Sequence, residues 1–129
     1  MMWKSIALLA VLSATALPAL AQDARGVWRT EATDDGYLEV EIAPCGPHLC
    51  GKILRARNLK GEEGPYPHLG RTMIWDMIPE TPSRWSGGKI WDPSRDVTVN
   101  GKLALQGDRL TLSGCFLAIC RSQDWTRLR

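Results

Sequence analysis

Two pairs of cysteines are the residues whose spacing most directly suggests chemistry. Cys45 and Cys50 bracket Gly46-Pro47-His48-Leu49, and Cys115 and Cys120 bracket Phe116-Leu117-Ala118-Ile119. Both are C-x4-C, so neither is the C-x-x-C of a dithiol redox centre. Reduced, the first pair with His48 would offer thiolate and imidazole ligands to a metal. Oxidised, the four sulfurs would be two staples, for which three pairings exist. Local pairing, Cys45 with Cys50 and Cys115 with Cys120, is favoured, because residues five apart across a four-residue hairpin loop face each other at disulfide distance. Each such ring contributes about 2 kcal/mol by chain entropy, and cross-pairing would contribute roughly twice that.

The choice between ligand and staple depends on compartment, and the first residues address it. MMWKSIALLAVLSATALPALAQ has a charged start at Lys4, an apolar run from Ile6 to about Ala16, Pro18, and Ala19-Leu20-Ala21. This is the pattern of a secretory signal cleaved near Ala21. The apolar run is shorter than the roughly 20 residues that span a bilayer, and no later segment is long and apolar enough to do so. The expected product is a periplasmic or secreted single domain over residues 22–129. There disulfides persist, and neither a metal nor a cofactor is expected.

Other candidates for chemistry are weaker. Ile74-Trp75-Asp76 is echoed by Ile90-Trp91-Asp92, and two carboxylates so placed would suit glycoside hydrolysis. Asp92 precedes Pro93, however, as an ordinary turn starter does. There is no Gly-x-Ser-x-Gly around a serine nucleophile, and Ser86-Gly87-Gly88 fits a turn or bulge better than a phosphate cradle. His48 and His68 read as solvated turn residues, so the reading is non-enzymatic. Sixteen Lys and Arg stand against fourteen Asp and Glu and are spread along the chain, which argues against the concentrated basic face nucleic acid requires. Of the six tryptophans, Trp75, Trp85 and Trp91 either line a cavity for an apolar ligand or sugar ring or fill a narrow barrel core; core filling is favoured. Phe116 and Leu117 are further candidate ligand contacts, at a tip read as folding inward unless it presents an apolar patch to a ligand, a membrane or a protein.

The elements that must position these residues are strands. Leu38, Val40 and Ile42 alternate with Glu39 and Glu41, the period of a half-buried strand. Comparable segments are Gly26–Ala32, Tyr37–Ala43, Cys50–Arg57, Thr72–Met77, Lys89–Asp92, Val97–Leu105, Arg109–Gly114 and Gln123–Arg129, with no convincing helical period after the leader. Asp34-Asp35-Gly36 and Gln106-Gly107-Asp108 suit tight hairpins. Asn58–Gly70 and Pro79–Gly88 are read as the long loops. The predicted fold is all-β, a small eight-stranded antiparallel up-and-down barrel with two C-x4-C hairpins; a two-sheet sandwich is the alternative.

Gly26-Val27-Trp28, Val40 to Ile53, Trp85 to Pro93, Leu110 to Gly114 and Gln123 to Arg127 together resemble, in order, the bacterial exported family known as domain of unknown function 2147. The resemblance implies a lipocalin-like barrel in the periplasm or outside the cell, and no established activity. Two departures accompany it. The loop before Leu69-Gly70 carries Glu62 and Glu63 and no asparagine after Asn58, and Asp96-Val97-Thr98-Val99 replaces the family's Gly-Lys-Thr-Tyr. Gly26-x-Trp28 also resembles the first strand of lipocalins, in which the Trp plugs one barrel end beneath a late Arg; Arg127 and Arg129 are candidates for that cation-π partner. By this analogy the expected function is non-enzymatic binding of a small apolar ligand. The alternative is a cell-envelope interaction module with a filled core, acting through the 116–119 tip or the 58–70 loop on a partner the sequence does not specify.

Overall fold

The computed structural model describes residues 23–129, together with residue 10. The leader expected from the sequence, residue 10 apart, and the expected cleavage site near Ala21 lie outside the described residues. Nine strands follow one another: β1 (Gly26–Arg29), β2 (Tyr37–Cys45), β3 (His48–Arg57), β4 (Glu63–Gly64), β5 (Thr72–Thr81), β6 (Arg84–Asp92), β7 (Val97–Gln106), β8 (Arg109–Phe116) and β9 (Ile119–Arg127). No helix occurs among the described residues. Eight strands form a closed antiparallel ring in which each pairs with its neighbours in sequence. The ring shuts where Trp28 of β1 pairs with Arg127 of β9. β4 is a two-residue strand attached to the end of β3, outside the ring. Closure of the single sheet rules out the sandwich and leaves no long edge exposed.

Strand alternation produces the core. In β7, Gly101, Leu103 and Leu105 are buried while Asn100, Lys102 and Gln106 are exposed, the two-residue period that sends successive side chains to opposite faces. The sheet coils at irregular points. Asp76 has φ 56°, and a Cβ on the facing Gly88 would lie 2.4 Å from the Trp75 carbonyl oxygen. Only a glycine allows β5 and β6 to approach so closely there.

Several boundaries differ from the sequence reading; β1, for one, ends at Arg29 and not at Ala32. Pro79–Gly88 is not a loop: β5 continues to Thr81 and β6 starts at Arg84. Pairing of β5 with β3 ends at Met77, so Pro79 sits on an unpaired edge where its missing N–H costs no ladder bond. The segment read as Gln123–Arg129 is the second half of a strand that begins at Ile119 and ends at Arg127, leaving Leu128 and Arg129 outside it. Finally, both cysteine hairpins turn through two residues rather than four. Cys115 is directly opposite Cys120, with Cα atoms 4.0 Å apart. Cys45 faces His48 and Cys50 faces Ala43, so the first bridge runs diagonally and its Cα atoms are 5.7 Å apart. The disulfides are nonetheless the local pair, Cys45–Cys50 and Cys115–Cys120.

Up-and-down order sorts the connections into two ends. One end collects the start of β1, the turns at 46–47, 82–83 and 107–108, and the end of β9. The opposite end collects the 30–36, 58–71 and 93–96 connections and the Leu117-Ala118 turn.

Candidate ligand-binding site at the barrel mouth

The first end is sealed. Trp28 has no exposed surface, and its Nε1 donates to the Ala24 carbonyl at 2.8 Å. Arg127 lies across the ring with its guanidinium carbon 4.4 Å from the centroid. The same guanidinium donates to the carbonyls of Arg25 and Asp23 and stands 3.4 Å from the Asp108 carboxylate. An aromatic plug roofed by a cation thus ties residues 23–25 across the barrel. Asp23 is itself held below the usual carboxylate range, chiefly by the hydrogen bond from Arg25.

Above the plug the interior is filled in layers set by register. Leu105, Leu110 and Trp125 are paired across β7, β8 and β9 and are buried. The next layer pairs Leu103, Leu112 and Gln123. Gln123 accepts a hydrogen bond from the Trp125 Nε1, which satisfies the only polar group of that deep indole.

Leu112 and Gln123 form a floor, and above them the barrel opens. A cleft of about 370 Å³ is lined by Met73, Ile90, Val99, Leu112, Phe116 and Ile119, with Arg95, Arg121, Ser113 and Ser122 also on its wall. A broader cleft of about 800 Å³ lies between the 30–38, 58–68 and 92–95 segments, and its walls include Tyr37, Tyr66 and His68. The two share Glu31, Met73, Asp92, Arg95 and Gln123. They are therefore one funnel, with an apolar throat and a polar outer bowl.

The loops that frame this mouth are pinned. Asn58 Oδ1 accepts from the backbone N–H groups of Lys60 and Glu62, both at 2.9 Å. Arg57 donates to the Gly61 carbonyl at 3.0 Å and to buried Glu39 at 2.9 Å. Farther along, Arg71 covers the Trp91 ring at 3.8 Å, and His68 meets Trp91 and Tyr66 edge to face, with centroids 5.0 and 5.3 Å away. Trp91 Nε1 donates to Asp96 at 2.9 Å, so one indole holds both the 58–71 and the 93–96 connections. Burial raises the Tyr66 phenol above its ordinary value. Asp92 accepts from the Ser94 hydroxyl at 2.6 Å and lies 3.8 Å from Arg95. Such a funnel can bury the apolar part of a small molecule and leave a polar group among Glu31, Arg95 and Arg121. Among the described residues no group of three His, Cys, Asp or Glu side chains is placed to hold a metal ion.

The family model described as "Uncharacterized protein conserved in bacteria (DUF2147)" matches residues 26–127. The chain belongs to that family. Among solved structures, this DUF2147 barrel is similar to protein HP1028 from the human pathogen Helicobacter pylori, described as belonging to the lipocalin family. The TM-score is 0.66, with 15% identity, over 83% of this chain and 84% of that one. At that identity the likeness establishes a lipocalin-like fold and nothing about ligands. No curated protein matches the sequence.

Within this family fold, the residues singled out in the sequence are dispersed. Trp85 and Trp91 are buried and Trp75 is half-buried, but none of the three lines the funnel. Trp75 pairs with Lys89, one position away from the Ile74–Ile90 pair of the core, and so points to the outer wall. Phe116 lines the throat. Leu117 does not, and is 89% exposed: the tip does not fold across the barrel end, because β8 and β9 stay paired up to Phe116 and Ile119. Asp76 and Asp92 do not form a pair. The Ile74–Ile90 register sets Asp92 level with Thr72, and Asp76 lies four residues farther down β5, about 13 Å away at strand spacing. Asp76 instead stands 3.7 Å from His48. His68, read as solvated, meets the Trp91 ring edge to face. Sequence reasoning missed Glu31, Met73, Arg95, Val99, Arg121 and Gln123. Alternation along β7 to β9 groups Val97, Val99, Leu112 and Gln123 on one face, but only closure shows that this face is a throat.

Proposed function

We propose that this protein is a non-enzymatic carrier of one small, largely apolar ligand, held in the barrel mouth with its polar end among the charged groups of the rim. The observation that carries this reading is the asymmetry of the barrel. Trp28 and Arg127 stop one end, while the other opens into an apolar throat of about 370 Å³, within the size range of small-molecule sites. The two disulfides support a place of action outside the reducing cytosol, in keeping with the leader read in the sequence. The exposed tip at Phe116, Leu117 and Ile119 favours a second activity at the same end, contact with a partner surface.

The test is native mass spectrometry of protein purified without denaturation, beside titration with a fluorescent apolar probe. Retained small molecules, or saturable probe binding at one site, are expected. Val99→Trp, which fills the throat, should weaken probe binding at least about tenfold, the equivalent of 1.4 kcal/mol. Equal binding by the wild type and the filled variant would overturn the reading.

A further inference from the structure

We propose that the β8–β9 tip is a membrane-docking point that seats the mouth of the barrel on an anionic lipid surface. The docking stands independently of the ligand reading; the route it opens from the bilayer into the throat rests on that reading.

The tip is apolar where a turn made only for folding would not be. Phe116, Leu117 and Ile119 are 50, 89 and 63% exposed, and all sit beyond the Cys115–Cys120 bridge. Leu117 has φ 56°, a left-handed conformation that favours Gly or Asn and that a γ-branched side chain adopts at a cost. Two of the other tight turns place glycine in that region, Gly46 at φ 65° and Gly107 at φ 60°, and the 93–96 turn places a polar aspartate there, Asp96 at φ 51°. At the β8–β9 apex a leucine occupies such a position with nearly all of its side chain exposed.

Its surroundings select the occupant. Arg121 lies just behind the tip and Arg95, which is paired with Asp92, on the adjacent connection; both are exposed and line the throat, whose wall also carries Glu31. Arg121 has no ion-pair partner among the described residues. Apolar side chains at an apex with cations set back from it match the depth profile of an anionic bilayer, hydrocarbon first and phosphate behind. A protein partner is a poorer fit. Three side chains on a two-residue turn form a convex point, far short of the roughly 800 Å² per side that a stable protein interface buries. The disulfide holds the tip in one shape, so insertion orders little additional chain. Phe116 and Ile119 belong both to the exposed tip and to the throat. A seated barrel therefore has a continuous apolar path from the bilayer into the cleft.

The experiment is co-sedimentation of the oxidised protein with vesicles of phosphatidylglycerol and phosphatidylethanolamine, and with phosphatidylcholine vesicles. Binding to the anionic vesicles, weakened by salt, is expected. Leu117→Gly removes the apolar apex and relieves the left-handed leucine. It should keep or raise Tm, leave probe binding in solution unchanged, and lower vesicle partitioning about tenfold or more. Misfolding cannot then account for the loss. Arg121→Gln should erase the preference for anionic lipid. The proposal fails if the wild type does not pellet with anionic vesicles, or if Leu117→Gly binds them as well as the wild type does. It also fails if sedimentation velocity shows a dimer that Leu117→Gly dissolves while vesicles remain unbound, which would make the tip a self-association site. Probe binding without vesicle binding would remove the docking and leave the carrier reading standing; vesicle binding without probe binding would do the reverse.

Discussion

At the scale of single residues, the sealed end depends on positions with no tolerance. Gly26 has φ 138°, and a Cβ there would lie 2.4 Å from the Arg129 carbonyl oxygen, so Gly26→Ala combines backbone strain with a clash against a fixed main chain. A loss of about 3 kcal/mol is expected, measurable as a fall in Tm of more than about 10 °C for a domain of this size. Tyr66 gives a pH dependence whose sign follows from its burial. Its pKa in the folded chain is raised above the ordinary 10.0, chiefly by desolvation, with Asp92 adding and Arg71 opposing. Below pH 10 the phenol is neutral in both states and its packing is fully retained. As pH rises through that region the unfolded chain gives up the proton first, and stability is lost. Tm should fall on the alkaline side, and Tyr66→Phe should fall less. The cation over Trp28 was also a matter of single residues. Arg127 takes that place because Trp28 and Arg127 are paired across the ring-closing strands, whereas Arg129 supplies its carbonyl to Val27.

At the scale of elements, the two stapled hairpins have the same spacing and opposite positions. The Cys45–Cys50 turn belongs to the sealed end and the Cys115–Cys120 turn to the mouth. Each closes a small ring worth about 2 kcal/mol on the unfolded chain. The double replacements Cys45→Ser/Cys50→Ser and Cys115→Ser/Cys120→Ser should therefore each lower stability by about that amount in denaturant titrations, and together by the sum, since no contact links the sites. The long 58–71 connection is no slack lid. Its base is fixed by Glu39, Arg57 and Asn58 and its end by Trp91. Strand positions were legible because alternation and turn residues are local properties. The β5–β6 hairpin was not, because Pro79 and the Gly87-Gly88 pair look like breakers until β3 is seen to end short of them and leave an unpaired edge.

At the scale of the whole molecule, the barrel is a cup: stopped at one end, packed through its middle, open at the other. Val99→Trp should therefore weaken probe binding while shifting Tm little, because it adds volume to the open throat and not to the close-packed layers below. The sequence by itself determined the all-β class, the eight strands of the ring and the family, since each rests on short-range pattern or on an ordered set of motifs; it favoured the local sulfur bridges among three pairings, and the structure decided for them. Tertiary structure alone decided which apolar residues fill the core and which line space. Trp85 and Phe116 are both aromatic residues on strands, yet one is buried under 7% exposure and the other stands at the rim at 50%. The difference is depth along the barrel axis relative to the Trp28 plug, and that depth exists only after strands far apart in the chain have closed their ring.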